Sequence, residues 1–170
     1  NYASAMIARE LGNALIAPVV TYVPEGDVNN PTSGHLSKAG TITFPEEFYI
    51  KLLEYAARSL AVHGFNDIVM IGDSGGNQRG MEQVAQMLNE EWASESVRVH
   101  FVGDYYSNNG FRSWLEEQGE TPETIGGHAG ISDTSQLLAV DPRHIRTDKL
   151  APGGGFPDSG VSGDPTRASV

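Results

Sequence analysis

Two short stretches of the chain carry side chains that could perform chemistry. The stretch GDSGGN places the carboxylate of Asp73 beside the hydroxyl of Ser74. The stretch GHAGISDTS contains the imidazole of His128 and the carboxylate of Asp133. An imidazole moves protons near neutral pH, and a hydroxyl attacks a carbonyl once a base activates it. Carboxylates and imidazoles also bind divalent ions, so these residue types are compatible with several kinds of hydrolysis.

The letters GDSGG match the stretch around the nucleophilic serine of trypsin-like proteases, but their context differs. That serine lies among short strands, whereas this tetrad joins the apolar run DIVMIG to a helical pattern. A lipase and esterase class with a Gly-Asp-Ser turn fits the strand, turn and helix better, and His128 could activate Ser74 there. That class places an Asp–His pair near the chain end, and the tail has none. A metal-free serine hydrolase using Ser74 and His128 remains the alternative enzyme.

The same loop can also line a binding site without any nucleophile. Ligands bind at the carboxyl ends of parallel strands, because helix N-termini and open backbone N–H groups converge there. Gly75 and Gly76 allow the backbone to approach a substrate closely. We expect Asn77 to cap the following helix or bind substrate, and Ser74 to hydrogen-bond a substrate before acting as a nucleophile.

Helical and strand patterns alternate along the chain, which predicts an α/β fold with a mainly parallel sheet. The helical stretches are SAMIARELGNAL, TFPEEFYIKLLEYAARSLAVHG, NQRGMEQVAQMLNEEW and residues 111–118 and 133–140, and the strands are LIAPVVTYV, DIVMIG and VRVHFVG. DIVMIG should be buried on both faces. The core faces of the two long helices are predicted to be Phe48, Leu52, Leu53, Ala56 and Leu60, then Met81, Val84, Ala85 and Leu88.

Two segments should lack regular structure. Residues 24–40 are dense in Pro, Gly, Asn and Ser and predict a long irregular loop, and residues 150–170 form a Gly/Pro-rich tail. No apolar run approaches the ~20 residues that cross a bilayer.

Composition limits the partners. The net charge of −11 and the pI near 4.7 leave no basic surface for nucleic acid or an anionic membrane, so we expect a small-molecule substrate. The chain has no cysteine, which excludes disulfides, thiolate nucleophiles and zinc–thiolate sites. A cysteine-free chain is compatible with cytoplasm or periplasm, so composition alone leaves the localisation unknown.

Three separated segments together resemble the creatininase (creatinine amidohydrolase) family. They are GHLSKAGTITFPEEF, GFNDIVMIGDSGGNQRG and HAGISDTSQLLAVDP, and their order and spacing agree with the family over roughly residues 5–150. The resemblance implies a three-layer α/β sandwich with a central, mainly parallel sheet, formed by residues 1–170 as a single domain incomplete at both ends. It also implies a cytoplasmic homo-oligomer.

The family's usual activity is metal-dependent hydrolysis of a small non-peptide, often cyclic, amide C–N bond, so the resemblance implies bound zinc, manganese or iron. Carried onto this sequence, His128 would be the general base or carbonyl polariser, and Asp73 and Asp133 would be metal ligands. His35 would line the substrate pocket, or lie on the surface. Asp133 could instead cap its helix, and His128 could instead bond the backbone.

The sequence departs from the family pattern at several ligand positions. Ser74 stands where the family has a histidine, and Ile131 where it has a glutamate. The family's first ligands would precede the chain, with one aspartate at or just before Asn1, and a closing helix would follow Val170. These departures leave a third function open, namely a non-catalytic relative that binds a small molecule or serves in an assembly.

Overall fold

The computed structural model describes residues 2–155 and 158–170. Asn1, where the resemblance places the last of the preceding ligands, and residues 156–157 of the tail lie outside the described part. The chain divides into two compact units, one formed by residues 1–19 and 110–170 and the other by residues 20–109. The single domain over residues 1–170 therefore stays a prediction. No helix in the described ranges is long and apolar enough to cross a membrane.

Helices and strands follow one another nearly as the sequence predicts. In chain order the elements are α1 (Tyr2–Leu11), α2 (Glu46–Val62), β1 (Asp67–Met70), α3 (Gly75–Glu91), β2 (Arg98–Phe101), α4 (Asp104–Ser107), α5 (Phe111–Glu117), α6 (Pro122–Ile125) and α7 (Ile131–Val140).

In the unit of residues 20–109, β1 and β2 form a parallel pair with Ile68 opposite Val99. Parallel strands need a crossover connection, and α3 supplies it. The predicted core face of α3 is confirmed: its buried residues include Met81, Val84, Ala85 and Leu88. The carboxyl ends of β1 and β2 therefore lie side by side, and the loops that follow them form the edge where ligands bind in such sheets.

The predicted core face of α2 is wrong in part. Phe48 is 57% exposed and Leu52 45% exposed, whereas Tyr49 and Leu53 are buried. Apolar residues recur on more than one side of this helix, so helical spacing alone selects the wrong stripe. The buried stripe also includes Glu54, whose carboxylate is satisfied by Lys51 and Arg58 at 2.8 and 2.9 Å.

Two strand predictions are also wrong. Val69 is 57% exposed between the buried Ile68 and Met70, so β1 is covered on one face instead of two. LIAPVVTYV forms no strand, because Pro18 lacks an N–H donor and no ladder pairs with the segment. Residues 24–40 are irregular as predicted, with one 3₁₀ turn over Gly34–Ser37.

The unit of residues 2–19 and 110–170 has its own small core of Leu115, Ile125 and Ile131. In residues 150–155 and 158–170, the Gly/Pro-rich tail forms short 3₁₀ turns and no long helix, in agreement with the sequence. The Arg167 guanidinium in that tail bonds the carboxylate of Glu120 at 2.6 Å. The tail is thus held against the helices of its own unit.

Candidate active site

The GDSGGN loop connects β1 to α3. Ser74 is the N-cap residue, with extended backbone (φ −139°), and α3 begins at Gly75. The expectation that Asn77 caps this helix is therefore wrong, since Asn77 lies inside the first turn. The side-chain oxygens of Asn77 and Gln78 are buried and have no hydrogen-bond partner among the described residues. Buried polar atoms of this kind are uncommon in proteins and accept hydrogen bonds from water or ligands.

One carboxylate, which sequence reasoning missed, joins Ser74 to His35. The Ser74 hydroxyl donates to Oε1 of Glu25 at 2.8 Å, and Nδ1 of His35 lies 2.6 Å from Oε2 of the same carboxylate. The Glu25 side chain is 17% exposed, whereas that of His35 is 50% exposed. The imidazole is therefore open to solvent while the carboxylate that holds it is largely covered.

The backbone around Glu25 is fixed by hydrogen bonds within the irregular loop. The Glu25 N–H donates to the Thr43 hydroxyl at 3.0 Å, and that hydroxyl donates to the Gly26 carbonyl at 2.7 Å. The Leu36 N–H donates to the Glu25 carbonyl at 3.0 Å. These bonds bring the start and end of the loop together, which places Glu25 and His35 in contact. The PEG triplet at the loop start was the only local signal for Glu25 in the sequence, and it reads simply as a turn.

The order of these contacts is Ser74, Glu25, His35, which differs from that of a serine-hydrolase triad. In a triad the histidine lies between serine and carboxylate and takes the serine proton. Here the Ser74 proton points to a carboxylate, which favours a hydrogen-bonding role for the hydroxyl. The carboxylate is placed to accept from Nδ1–H of His35, and in the neutral form of that tautomer Nε2 carries the lone pair that a general base needs.

Two glycines bring backbone N–H groups to this edge. A Cβ on Gly76 would collide with the carbonyl oxygen of Pro24, whereas a Cβ on Gly75 would meet only the Tyr106 hydroxyl, at 3.1 Å. The first N–H groups of a helix have no partner within the helix, and they carry partial positive charge. Such groups can stabilise an oxyanion.

Asp73 lies beside the segment that follows β2. Burial raises the pKa of Tyr105, and the negative charge of Asp73 raises it further. Asp73 is therefore near the residues of α4, at the carboxyl edge of both strands, and its side chain is exposed.

His128 and Asp133 belong to the other unit, in the turn before α7. The N–H groups of Gly127 and His128 donate to the Ser162 hydroxyl at 2.8 and 3.0 Å. The Ser162 N–H in turn donates to the His128 carbonyl at 2.8 Å. The glycine-rich tail thus shapes the turn that carries His128, and Ser162 is a second residue that the sequence analysis did not identify.

Asp133 stabilises the same turn from its other side. Its Oδ2 accepts from the Ala129 N–H at 2.6 Å, and Ala129 has a positive φ of 48°. A non-glycine residue with positive φ is strained, and the hydrogen bond from its N–H to the Asp133 carboxylate helps to hold Ala129 in this conformation. The alternative that Asp133 caps its helix is wrong, because Gly130 is the N-cap residue and Asp133 lies inside the first turn of α7; its role as a metal ligand stays a prediction.

Comparisons with known proteins identify the family to which the chain belongs. The family profile of creatininase, described as creatinine amidohydrolase, matches residues 1–170. The chain belongs to the creatininase family. Its structure is similar to that of a creatininase with a Trp-to-Phe substitution (TM-score 0.64, 20% identity), covering 98% of this chain and 72% of that one. No curated protein matches the sequence significantly. The predicted creatininase-like α/β fold is confirmed.

Creatininase-family chemistry is metal-dependent amide hydrolysis, which requires a set of side chains that bind divalent ions. Within the described part of either unit, no three His, Asp or Glu side chains lie close enough to hold an ion. Where the family has a glutamate, Ile131 is 2% exposed and packed in the small core. The described residues therefore do not form a divalent-metal site on their own, and Asp73 as a ligand stays a prediction.

Proposed function

We propose that this protein of the creatininase family hydrolyses the C–N bond of a small, non-peptide, cyclic amide. The observation that carries the proposal is the Glu25 carboxylate, which bonds both Ser74 and His35 at the carboxyl edge of β1. A carboxylate and an imidazole paired in this way form a general base, and exposure of His35 gives water and substrate access to it.

The proposed steps use this chain's own groups. Nε2 of His35 takes a proton from water, and Glu25 stabilises the imidazolium that forms. The water oxygen attacks the amide carbon, while N–H groups at the start of α3 stabilise the oxyanion. His35 then returns the proton to the leaving nitrogen as the C–N bond breaks. The ring opens to a product that carries an amine and a carboxylate.

The remaining groups have supporting roles in the proposal. The Ser74 hydroxyl and the loop glycines bind the substrate. The role of His128 as general base or carbonyl polariser stays an expectation from the family resemblance and takes no part in these steps. A divalent ion, held in part by Asp73 or Asp133, and a homo-oligomeric state are likewise proposed from the family alone.

A second candidate function is small-molecule binding without catalysis. The apolar, buried Ile131 at a family glutamate position favours it. The third candidate, a serine hydrolase, requires Ser74 to react as a nucleophile. Labelling of Ser74 by a fluorophosphonate would support that reading, and its absence is expected because the Ser74 hydroxyl donates to a carboxylate.

The proposal is tested with a panel of small cyclic amides, namely lactams, hydantoins and creatinine, followed by mass spectrometry of the ring-opened products. The protein is assayed as isolated, after chelation, and after addition of zinc, manganese or ferrous iron. Ring opening in any of these states supports hydrolysis. Loss of activity on chelation would show that a metal is required, and recovery with one of the added ions would identify it. No ring opening in any state, together with thermal stabilisation by one compound, would replace hydrolysis with binding.

A further inference from the structure

A cleft of about 300 Å³ lies within the unit of residues 2–19 and 110–170. This volume is at the lower end of what small-molecule sites enclose. Much of its wall is aliphatic, with contributions from Leu137, Ile145, Leu150 and Val161. Three basic side chains also line it, namely His144, Arg146 and Lys149. The cleft thus combines an apolar wall with positive charge in a protein whose net charge is −11.

Arg146 differs from most arginines of the chain. Six others bond carboxylates or backbone carbonyls: Arg58, Arg79, Arg98, Arg112, Arg143 and Arg167. Among the described residues, no carboxylate or carbonyl bonds the Arg146 guanidinium, and the same holds for Arg9, which lies on α1 away from the cleft lining. With 22 acidic residues against 11 basic ones, an arginine without a partner in a cleft is available for an external anion.

The acidic groups near the cleft are already engaged. Asp133 lines it, but its Oδ2 accepts from the Ala129 N–H at 2.6 Å. Asp141 is 3% exposed and is bonded by Arg143 at 2.8 Å and by His144 at 3.1 Å. Asp148 pairs with Lys149 at 3.3 Å, and both of these side chains are largely exposed. None of these contacts neutralises Arg146.

We propose that this cleft binds a small monocarboxylate with an apolar body. The carboxylate would accept from the planar guanidinium of Arg146, whose fork of donors matches two carboxylate oxygens. The hydrocarbon part would lie against Leu137, Leu150 and Val161. A compact dianion such as phosphate would leave this apolar wall unused. The inference concerns binding and does not depend on turnover at Glu25 and His35.

Titration of the ¹⁵N-labelled full chain tests it, with hexanoate, acetate, hexanamide and inorganic phosphate as probes. Native protein should show saturable shifts with hexanoate at cleft residues, weaker shifts with acetate and none with hexanamide. Arg146→Gln should weaken hexanoate binding about tenfold or more, in line with the loss of a charged hydrogen bond. Arg9→Gln removes the other arginine without a partner and should leave the affinity unchanged.

Four results would overturn the proposal. They are absence of saturable hexanoate binding to native protein, equal binding by the Arg146→Gln variant, equal binding of hexanamide, and phosphate binding as tight as that of hexanoate. Amide spectra of both variants establish that they remain folded. Because the readout is direct binding, failure of the cyclic amides to be hydrolysed leaves this test intact.

Discussion

The Ser74 hydroxyl donates a 2.8 Å hydrogen bond to Oε1 of Glu25, across 49 residues of sequence. The other oxygen of that carboxylate lies 2.6 Å from Nδ1 of His35. The irregular loop of residues 24–40 therefore supplies a carboxylate and an imidazole to the edge formed by β1 and α3. This contact gives the GDSGGN loop a role that does not require a nucleophilic serine.

Gly76→Ala should destabilise the protein, because the added methyl group would collide with the Pro24 carbonyl. Overpacking of this kind costs about 1–3 kcal/mol. Gly75→Ala is the matched control, since its methyl group would meet only the end of the Tyr106 side chain. Urea denaturation of both variants measures the difference. Equal stabilities would show that Pro24 does not approach the loop as closely as described.

The two neighbouring leucines of α2 should respond differently to truncation. Leu53→Ala should lower the free energy of unfolding by about 2–5 kcal/mol, the range for a buried leucine, because Leu53 is 8% exposed. Leu52 is 45% exposed, so Leu52→Ala should cost less than about 1 kcal/mol. The comparison tests the corrected core face of α2. A loss for Leu52→Ala as large as that for Leu53→Ala would restore the predicted face, which contains both leucines.

Ser162→Ala should loosen the turn that carries His128. The hydroxyl accepts from the N–H groups of Gly127 and His128, and both contacts are solvent-exposed, so water replaces part of what is lost. We expect a loss of about 1 kcal/mol and faster hydrogen exchange at those two amides. Ser113→Ala, on an exposed position of α5, is the control. Unchanged exchange at Gly127 and His128 would contradict the proposed role of the tail.

Asp141 should make stability depend on acid pH. Hydrogen bonding by Arg143, followed by that of Tyr2, holds the pKa of the Asp141 carboxyl well below its usual range. A lowered folded-state pKa stabilises the fold above the unfolded pKa of about 3.9, and this stabilisation is lost as the pH falls further. Thermal melting from pH 7 to pH 2 should therefore show a weaker acid dependence for Asp141→Asn than for native protein.

Asp148→Asn is the control for that comparison, because the Asp148 side chain is 72% exposed and its ion pair, among the described residues, is with Lys149 at 3.3 Å. Its melting curve should follow that of native protein throughout. If Asp141→Asn also follows native protein down to pH 2, the Asp141 pair has no part in acid stability.

The sequence predicts the core face of a helix correctly where its apolar residues form a single stripe. The apolar stripe of α3 contains Met81, Val84 and Leu88 and no rival stripe, so its core face was predicted correctly. α2 carries Phe48 and Leu52 on one side and Tyr49 and Leu53 on another, and only tertiary packing against α3 and β1 decides between them. Val69 was misassigned because an apolar run does not reveal how many faces of a strand are covered.

The sequence predicts those residues of the candidate site that lie close together along the chain. Ser74 and the glycines of the GDSGGN loop are recognisable because the strand, the turn and the helix are consecutive in sequence. Glu25 meets Ser74 through tertiary contacts of an irregular loop, which no periodicity encodes. Ser162 is similar, since a serine in a glycine-rich tail carries no signal of the backbone amides that it accepts from.

The most direct measurement is the rate of cyclic-amide hydrolysis by Glu25→Gln, compared with native protein and with Glu90→Gln, an exposed carboxylate of α3. Glutamine keeps the shape of the side chain but removes the charge that holds His35 and stabilises its protonated form. We expect a loss of about 100-fold in kcat for Glu25→Gln and no change for Glu90→Gln. Native activity in the Glu25→Gln variant would contradict the account.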